Sequence, residues 1–212
     1  MKKIGIIGSG NIGGTAAKLF AKAGYEVAIS NSRGPESLAS LVNSIGSNVK
    51  ATTIDDAIKF GDVILLALPW RKRQELLPLS ELFTGKIVID ATNPYSENFE
   101  VLDLGNDTSS EEIAKQISSN SRLVKAFNTI HYEDLRTKGN PQIPIEDRFV
   151  IYVAGDDSEA KSIVSKLIED IGFASVDTGS LKNGGRKQQP GSPIYNNPMT
   201  FGVAHKRLSE IA

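Results

Sequence analysis

Three glycines, Gly8, Gly10 and Gly13, are spaced Gly-x-Gly-x-x-Gly between a short apolar run, Ile4-Gly5-Ile6-Ile7, and a stretch with helical periodicity. The first glycine of such a turn permits a tight bend, the second lets backbone approach a pyrophosphate, and the third lets a helix pack on a strand. Ser9, Asn11 and Ile12 complete the loop at a helix N-terminus, where free N–H groups and the helix dipole favour an anion. In an NAD-selective site a carboxylate about 20 residues further on meets the ribose 2′-hydroxyl. Here that stretch reads Asn31-Ser32-Arg33-Gly34; Glu26 starts the strand before it and Glu36 falls in the next helix. Hydroxyl and amide donors with a guanidinium suit a 2′-phosphate. These residues imply NADP(H).

Three further segments, Leu68-Pro69, Asn93-Pro94 and Asn128-Thr129, each follow an apolar run. If those runs are parallel strands, their carboxyl ends open onto one crevice, and the Asn93 and Asn128 amides can meet a carboxamide or a ring edge. Trp70 is either a wall for a flat hydride acceptor or a buried core residue. Arg71-Lys72-Arg73 at the start of a helix opposes its dipole, which points to an anion or to a solvated face. His131 is a proton donor near the acceptor or a polar loop residue. His131 and His205 are too isolated to hold a metal, and none is expected. No Tyr-x-x-x-Lys pair occurs and no other acid–base couple stands out. Hydride transfer to a flavin-like ring can proceed by alignment alone, so a flavin-type acceptor is favoured over an alcohol.

Positioning these groups requires alternating strands and helices. Apolar runs at Ile4–Ile7, Val27–Ile29, Val49–Ala51, Val63–Ala67, Ile87–Ile89, Leu123–Phe127, Phe149–Val153 and Phe173–Val176 predict about eight strands. Between them the pattern predicts helices after Gly13, from Pro35 through Ser44, behind the cap Thr53, over Lys72–Phe83, behind a Ser109-x-x-Glu112 capping box, and over Ala160–Ile171. Asp55-Asp56 and Asp156-Asp157 fall at helix starts as capping groups. The fold class is α/β, a doubly wound and mostly parallel Rossmann sheet with an irregular C-terminal extension.

The 212 residues, with a net charge of −1 and no cysteine, bound the function further. The charge balance provides no basic field for nucleic acid. Thiol chemistry is excluded, and no run is long enough to cross a membrane; the chain reads as cytoplasmic. Residues 1–181 form the nucleotide-binding domain and 182–212 an appended loop and short helix. Lys182 to Pro198, rich in glycine and proline, is expected to be neither helix nor central strand. Its length suggests function: Arg186, Gln189 and Tyr195 are expected to form one wall of the acceptor site, so that deleting the loop spares NADPH binding while hydride transfer falls.

Gly8-Ser9-Gly10-Asn11-Ile12-Gly13, Asn31-Ser32-Arg33-Gly34, Ala67-Leu68-Pro69-Trp70, Ile89 to Pro94 and Val124 to Ile130 together resemble the motifs of the NADPH-dependent coenzyme F420 reductase family. Related domains form the cytosolic part of transmembrane ferric reductases. The resemblance runs from Met1 to about Leu181. It implies hydride exchange between NADP(H) and a flavin or coenzyme F420-like 5-deazaflavin, with Ser9 to Ile12 on the pyrophosphate and Asn31 to Arg33 on the 2′-phosphate. Leu68, Pro69, Asn93, Ala126, Phe127 and Asn128 would line the nicotinamide end. Gly184 to Pro198 looks like the longer tail of bacterial members rather than the shorter end of archaeal deazaflavin enzymes. Family members of this size imply a homodimer, with Val203, Leu208 and Ile211 able to reach a partner. Two rival functions stand beside this one: an NADPH-dependent reductase of a small imine, carbonyl or quinone, and a redox-sensing module that holds NADP(H) without turnover.

Overall fold

The computed structural model describes residues 3–211; Met1, Lys2 and Ala212 lie outside the described residues. Strands and helices alternate as β1 Lys3–Ile7, α1 Asn11–Lys22, β2 Glu26–Ser30, α2 Ala39–Ile45, β3 Val49–Ala51, α3 Ile54–Phe60, β4 Val63–Leu66 and β5 Ile87–Asp90. They continue as α4 Ser109–Ala114, β6 Arg122–Ala126, α5 Tyr132–Thr137, β7 Val150–Gly155, α6 Ser158–Asp170, β8 Ala174–Asp177, α7 Asn183–Lys187 and α8 Phe201–Glu210. The eight strands form one sheet in the order β3-β2-β1-β4-β5-β6-β7-β8. Among its strand pairs β6 with β7 is antiparallel, and the others are parallel.

Period-two alternation divides the core. Ile4 and Ile6 of β1 and Val63 and Leu65 of β4 pack with Ala16 and Phe20 of α1 and Val164 and Leu167 of α6 on one face. Ile7, Ile64 and Leu66 pack on the other face with Ile58 of α3, Trp70, Leu76 and Phe83. All four residues of β4 are buried, as a central strand covered on both sides must be. The chain runs outward from β1 to β3 and then returns to the other side of β1 as β4. At that reversal the loops leaving the two neighbouring strands diverge and open a crevice at their carboxyl ends.

Several local expectations are corrected. Trp70–Phe83 is a 3-10 helix with Pro78 inside it rather than an α-helix; proline removes an intrahelical donor and crowds the preceding turn. The capping box is Thr108 with Glu111, one residue earlier than the predicted pair. Pro35–Leu38 is a 3-10 turn leading into α2. Helix α5 lies between β6 and β7, where no element was predicted, and α7 lies inside the supposed irregular tail. The tail is also knitted into a third apolar cluster, where Ile194, Met199 and Ala204 pack on Val150, Tyr152, Ala174 and Val176. Leu208 and Ile211 pack on that same cluster instead of standing free, while Val203 is exposed. No helix among the described residues is long and apolar enough to cross a membrane.

Candidate functional site

The turn after β1 is shaped by close backbone contacts. Gly8 has φ +108°, and a Cβ there would lie 2.3 Å from the Ala67 carbonyl oxygen at the end of β4. At Gly13 a Cβ would fall 1.9 Å from the Gly8 carbonyl oxygen, so α1 can pack down on the turn only with glycine. Gly10 differs: nothing lies within 4 Å of its absent side chain. It is the N-cap of α1 and makes no side-chain cap hydrogen bond. The first-turn N–H groups are therefore left to an anion, and the open space at Gly10 lets one approach. The cradle fits a dinucleotide pyrophosphate.

The exit of β2 lies beside this turn, with Gly8 N donating to Ser30 O at 2.9 Å. Asn31 Nδ2 donates to Ser9 Oγ at 3.1 Å and to Ser37 Oγ at 3.0 Å, while Asn31 Oδ1 accepts from Arg33 N at 2.9 Å. Asn31 thus ties the glycine turn to the loop that presents Ser32 and Arg33, both exposed on the crevice.

The crevice has a volume of about 640 Å³ and is lined from Gly8–Ile12 and Asn31–Arg33 through Leu68, Pro69 and Trp70 to Asn93, Tyr95 and Phe99. Trp70 is nevertheless 3% exposed and its Nε1 donates to Ser109 O at 3.0 Å, so both sequence readings of this residue hold in part. Arg73 stacks over its ring at 3.7 Å and pairs with Glu112, and Lys72 pairs with Glu75. Arg71 lines the crevice with no ion pair among the described residues. The basic run is thus divided between local pairing and the crevice.

Ala126, Phe127 and Asn128 are buried behind the crevice wall rather than lining it. Phe127 has φ +67°, a strained conformation for a non-glycine residue that turns the chain sharply at the end of β6. Asn128 Nδ2 donates to Asn93 Oδ1 at 3.1 Å and to Gln188 O at 2.8 Å. Asn93 Nδ2 in turn donates to Asn128 O at 2.9 Å and to the Tyr195 hydroxyl at 3.4 Å. The Tyr195 and Tyr95 hydroxyls lie 3.0 Å apart. This chain of contacts was not foreseen, because its members are separated by up to 102 positions.

The proposed tail wall is therefore corrected. Tyr195 stands one hydrogen bond behind the crevice, while Gln189 does not line it. Arg186 donates to Asn106 O at 2.9 Å, fastening the tail to the loop before α4. His131 is also away from the crevice: its Nδ1 accepts from Glu133 N as the cap of α5, and its ring packs on Tyr132. A further group missed in the sequence is Lys125 in β6, fully buried and in contact with Asp90, Ser109 and Ser110.

An eight-stranded Rossmann sheet with this glycine turn and this acid-free exit of β2 defines an NADP-binding oxidoreductase domain. The chain belongs to the family described as NADP oxidoreductase, coenzyme F420-dependent, whose model matches residues 3–94. The hypothetical protein SMa0349 from Sinorhizobium meliloti is 34% identical, with a TM-score of 0.85 over 94% of this chain and 96% of that one. A structure from Arthrobacter sp. FB24, assigned as an F420-dependent NADP-reductase, shares the fold at a TM-score of 0.72 and 23% identity, over 85% of this chain and 86% of that one. Metalloreductase STEAP3 of Rattus norvegicus is 29% identical over 179 residues, which is 84% of this chain and 34% of that protein. The chain thus spans about a third of the length of that curated relative.

Proposed function

We propose that this chain passes hydride between NADPH and a planar tricyclic acceptor, a flavin or 5-deazaflavin. The observation that carries the reading is the continuity of the crevice. One end holds the acid-free Arg33 loop and the uncapped start of α1, and the other holds Trp70, Tyr95 and the exposed ring of Phe99. Asn31 to Arg33 would grip the 2′-phosphate, Ser9 to Ile12 the pyrophosphate, and Leu68, Pro69 and Asn93 would seat the nicotinamide ring. NADPH, when bound, supplies the hydride. The protein orients the two rings and keeps water from between them, which lowers the barrier to such a transfer.

A second reading, reduction of a small imine, carbonyl or quinone, fits the same crevice, because the Tyr95 hydroxyl on its lining supplies the proton that such acceptors take up. The deciding experiment follows loss of reduced-nicotinamide absorbance with FMN, riboflavin, coenzyme F420, 2-methyl-1-pyrroline and menadione in parallel. Oxidation with the tricyclic acceptors supports the proposal. NADPH binding without oxidation by any of the three tricyclic compounds would sink it.

A further inference from the structure

Resting on the hydride-transfer reading, we propose that Tyr95 is the proton donor of the crevice, its hydroxyl aimed there by the hydrogen-bond order Asn93 to Tyr195 to Tyr95. Counting donors fixes the amide part of this order, and the proposal supplies the step between the two phenols. Asn128 Nδ2 meets two acceptors, the Gln188 carbonyl and Asn93 Oδ1, which fixes its amide orientation. Asn93 must then present Oδ1 to Asn128 Nδ2 and Nδ2 to the Asn128 carbonyl. Its second Nδ2 hydrogen is the one that meets Tyr195, so the Tyr195 oxygen accepts there. A phenol has one hydrogen and two acceptor sites, and the proposal gives the Tyr195 hydrogen to Tyr95, 3.0 Å away. Tyr95 has then used its oxygen as acceptor, and its own O–H has no acceptor among the described residues. Tyr95 lines the cavity and Tyr195 does not.

The surroundings support release of a proton from Tyr95 rather than from Tyr195. Burial, and next the hydrogen bond with Tyr95, push the Tyr195 phenol up from its ordinary range. The charged side chains lining the same crevice are Arg33, Arg71, Lys72 and Glu75; Lys72 and Glu75 pair with each other, so its net charge comes from the two guanidiniums. In the step itself the hydride carries its electron pair to the acceptor carbon or ring atom. The acceptor π bond opens onto a heteroatom, which takes the Tyr95 proton, and the Tyr95 oxygen keeps the O–H electron pair. The Tyr195 hydroxyl donates to the resulting phenolate, which regains a proton from water at the mouth of the crevice. The acceptor class is one whose reduction adds a proton to nitrogen or oxygen, as flavin, deazaflavin and imine reductions all do.

Two measurements decide the assignment. In the first, the full-length protein carrying 13Cζ-tyrosine is titrated by NMR without cofactor, using Tyr95→Phe and Tyr195→Phe to assign the signals. Tyr195 is expected to hold its proton above the ordinary phenol range, and Tyr95→Phe is expected to lower the Tyr195 midpoint by removing the acceptor of its O–H. A Tyr195 midpoint left unmoved or raised by Tyr95→Phe would overturn the order whatever the acceptor. The second measurement is single-turnover oxidation of NADPH by FMN. Tyr95→Phe is expected to slow it about 100-fold and to leave NADPH affinity unchanged. An unaltered rate would overturn the proton-donor role. Failure of the wild-type protein to reduce FMN would instead remove the flavin as acceptor, and the titration would still decide the role of Tyr95.

Discussion

Lys125 Nζ lies 3.2 Å from the Asp90 carboxylate, with both side chains at 0% exposure. Lys125 also donates to Thr92 O, Ser109 Oγ and Ser110 Oγ, and Thr92 N donates to Asp90 Oδ1 at 2.9 Å. The pair therefore fixes the end of β5, and with it Asn93, against β6 and α4. Removing one partner strands a buried charge, which typically costs about 3–5 kcal/mol. Lys125→Ala is expected to lose that much in urea unfolding. Lys125→Met with Asp90→Asn should lose less than the sum of the two single changes, because the charges disappear together.

Cofactor choice rests on Arg33. Charge-assisted hydrogen bonds contribute about 1.5–3 kcal/mol, so Arg33→Ala is expected to weaken NADPH roughly 10- to 150-fold while leaving NADH nearly unchanged. Parallel titrations of the two cofactors test this. Equal weakening of both would assign Arg33 to the loop fold and not to the 2′-phosphate.

The glycines of the turn are expected to divide by role. Gly13→Ala places a Cβ into the Gly8 carbonyl, which is backbone and cannot swing aside, so both melting temperature and NADPH binding should fall. Gly10→Ala meets nothing within 4 Å and should leave the melting temperature alone. It should still weaken NADPH at least about tenfold, the equivalent of about 1.4 kcal/mol, because the new methyl stands where the pyrophosphate approaches. Tight binding by Gly10→Ala would place the phosphates elsewhere.

The tail experiment changes in the light of the packing. Deleting residues 184–197 removes the buried Gln188 and Ile194, so loss of fold is the expected result rather than spared cofactor binding. Ile194→Ala alone is expected to cost about 2–5 kcal/mol in denaturant unfolding. A smaller effect, within the range of surface substitutions, would show that the tail is not held by its third cluster.

Alkaline pH should also unfold the protein. Burial pushes the Tyr152 phenol up to about 12, and burial raises Tyr25, which also donates to Asp170, and Tyr195. Unfolded phenols release protons near pH 10 while the folded ones hold theirs. The unfolded state then binds fewer protons, and stability falls as pH rises. The stabilisation is complete below about pH 10 and is lost as pH climbs through about 12. Urea midpoints at about pH 8 and pH 11 should differ in that sense; a flat profile would refute it.

The sheet and the turn were legible because their signals are local. A strand covered on both faces must be apolar throughout, as Val63–Leu66 is, and the three glycines act within six positions of one another. The missed features depend on distant partners or on degenerate spacing. Thr108 with Glu111 and Ser109 with Glu112 satisfy the same capping pattern, and sequence alone does not choose between them. Gly184 and Gly185 look like helix breakers, yet α7 runs through both and has room for nothing larger at Gly184, where a Cβ would lie 2.7 Å from the Thr178 backbone. Lys125 looked like one more strand residue because Asp90, its counter-charge, is 35 positions away. The Tyr95–Tyr195 pair crosses 100 positions and belongs to two segments that otherwise read as loop.

That separation orders events during synthesis. Asn93 and everything that shapes the cofactor end of the crevice leave the ribosome before Tyr195, which lies 102 positions further on. At ordinary elongation rates the interval is on the order of five to twenty seconds. A nascent chain in that interval carries the glycine turn, the Arg33 loop and Asn93 but not yet Gln188, Ile194 or Tyr195. The crevice therefore takes its final form only when the last segment docks, so the residues made last lock in place those made first.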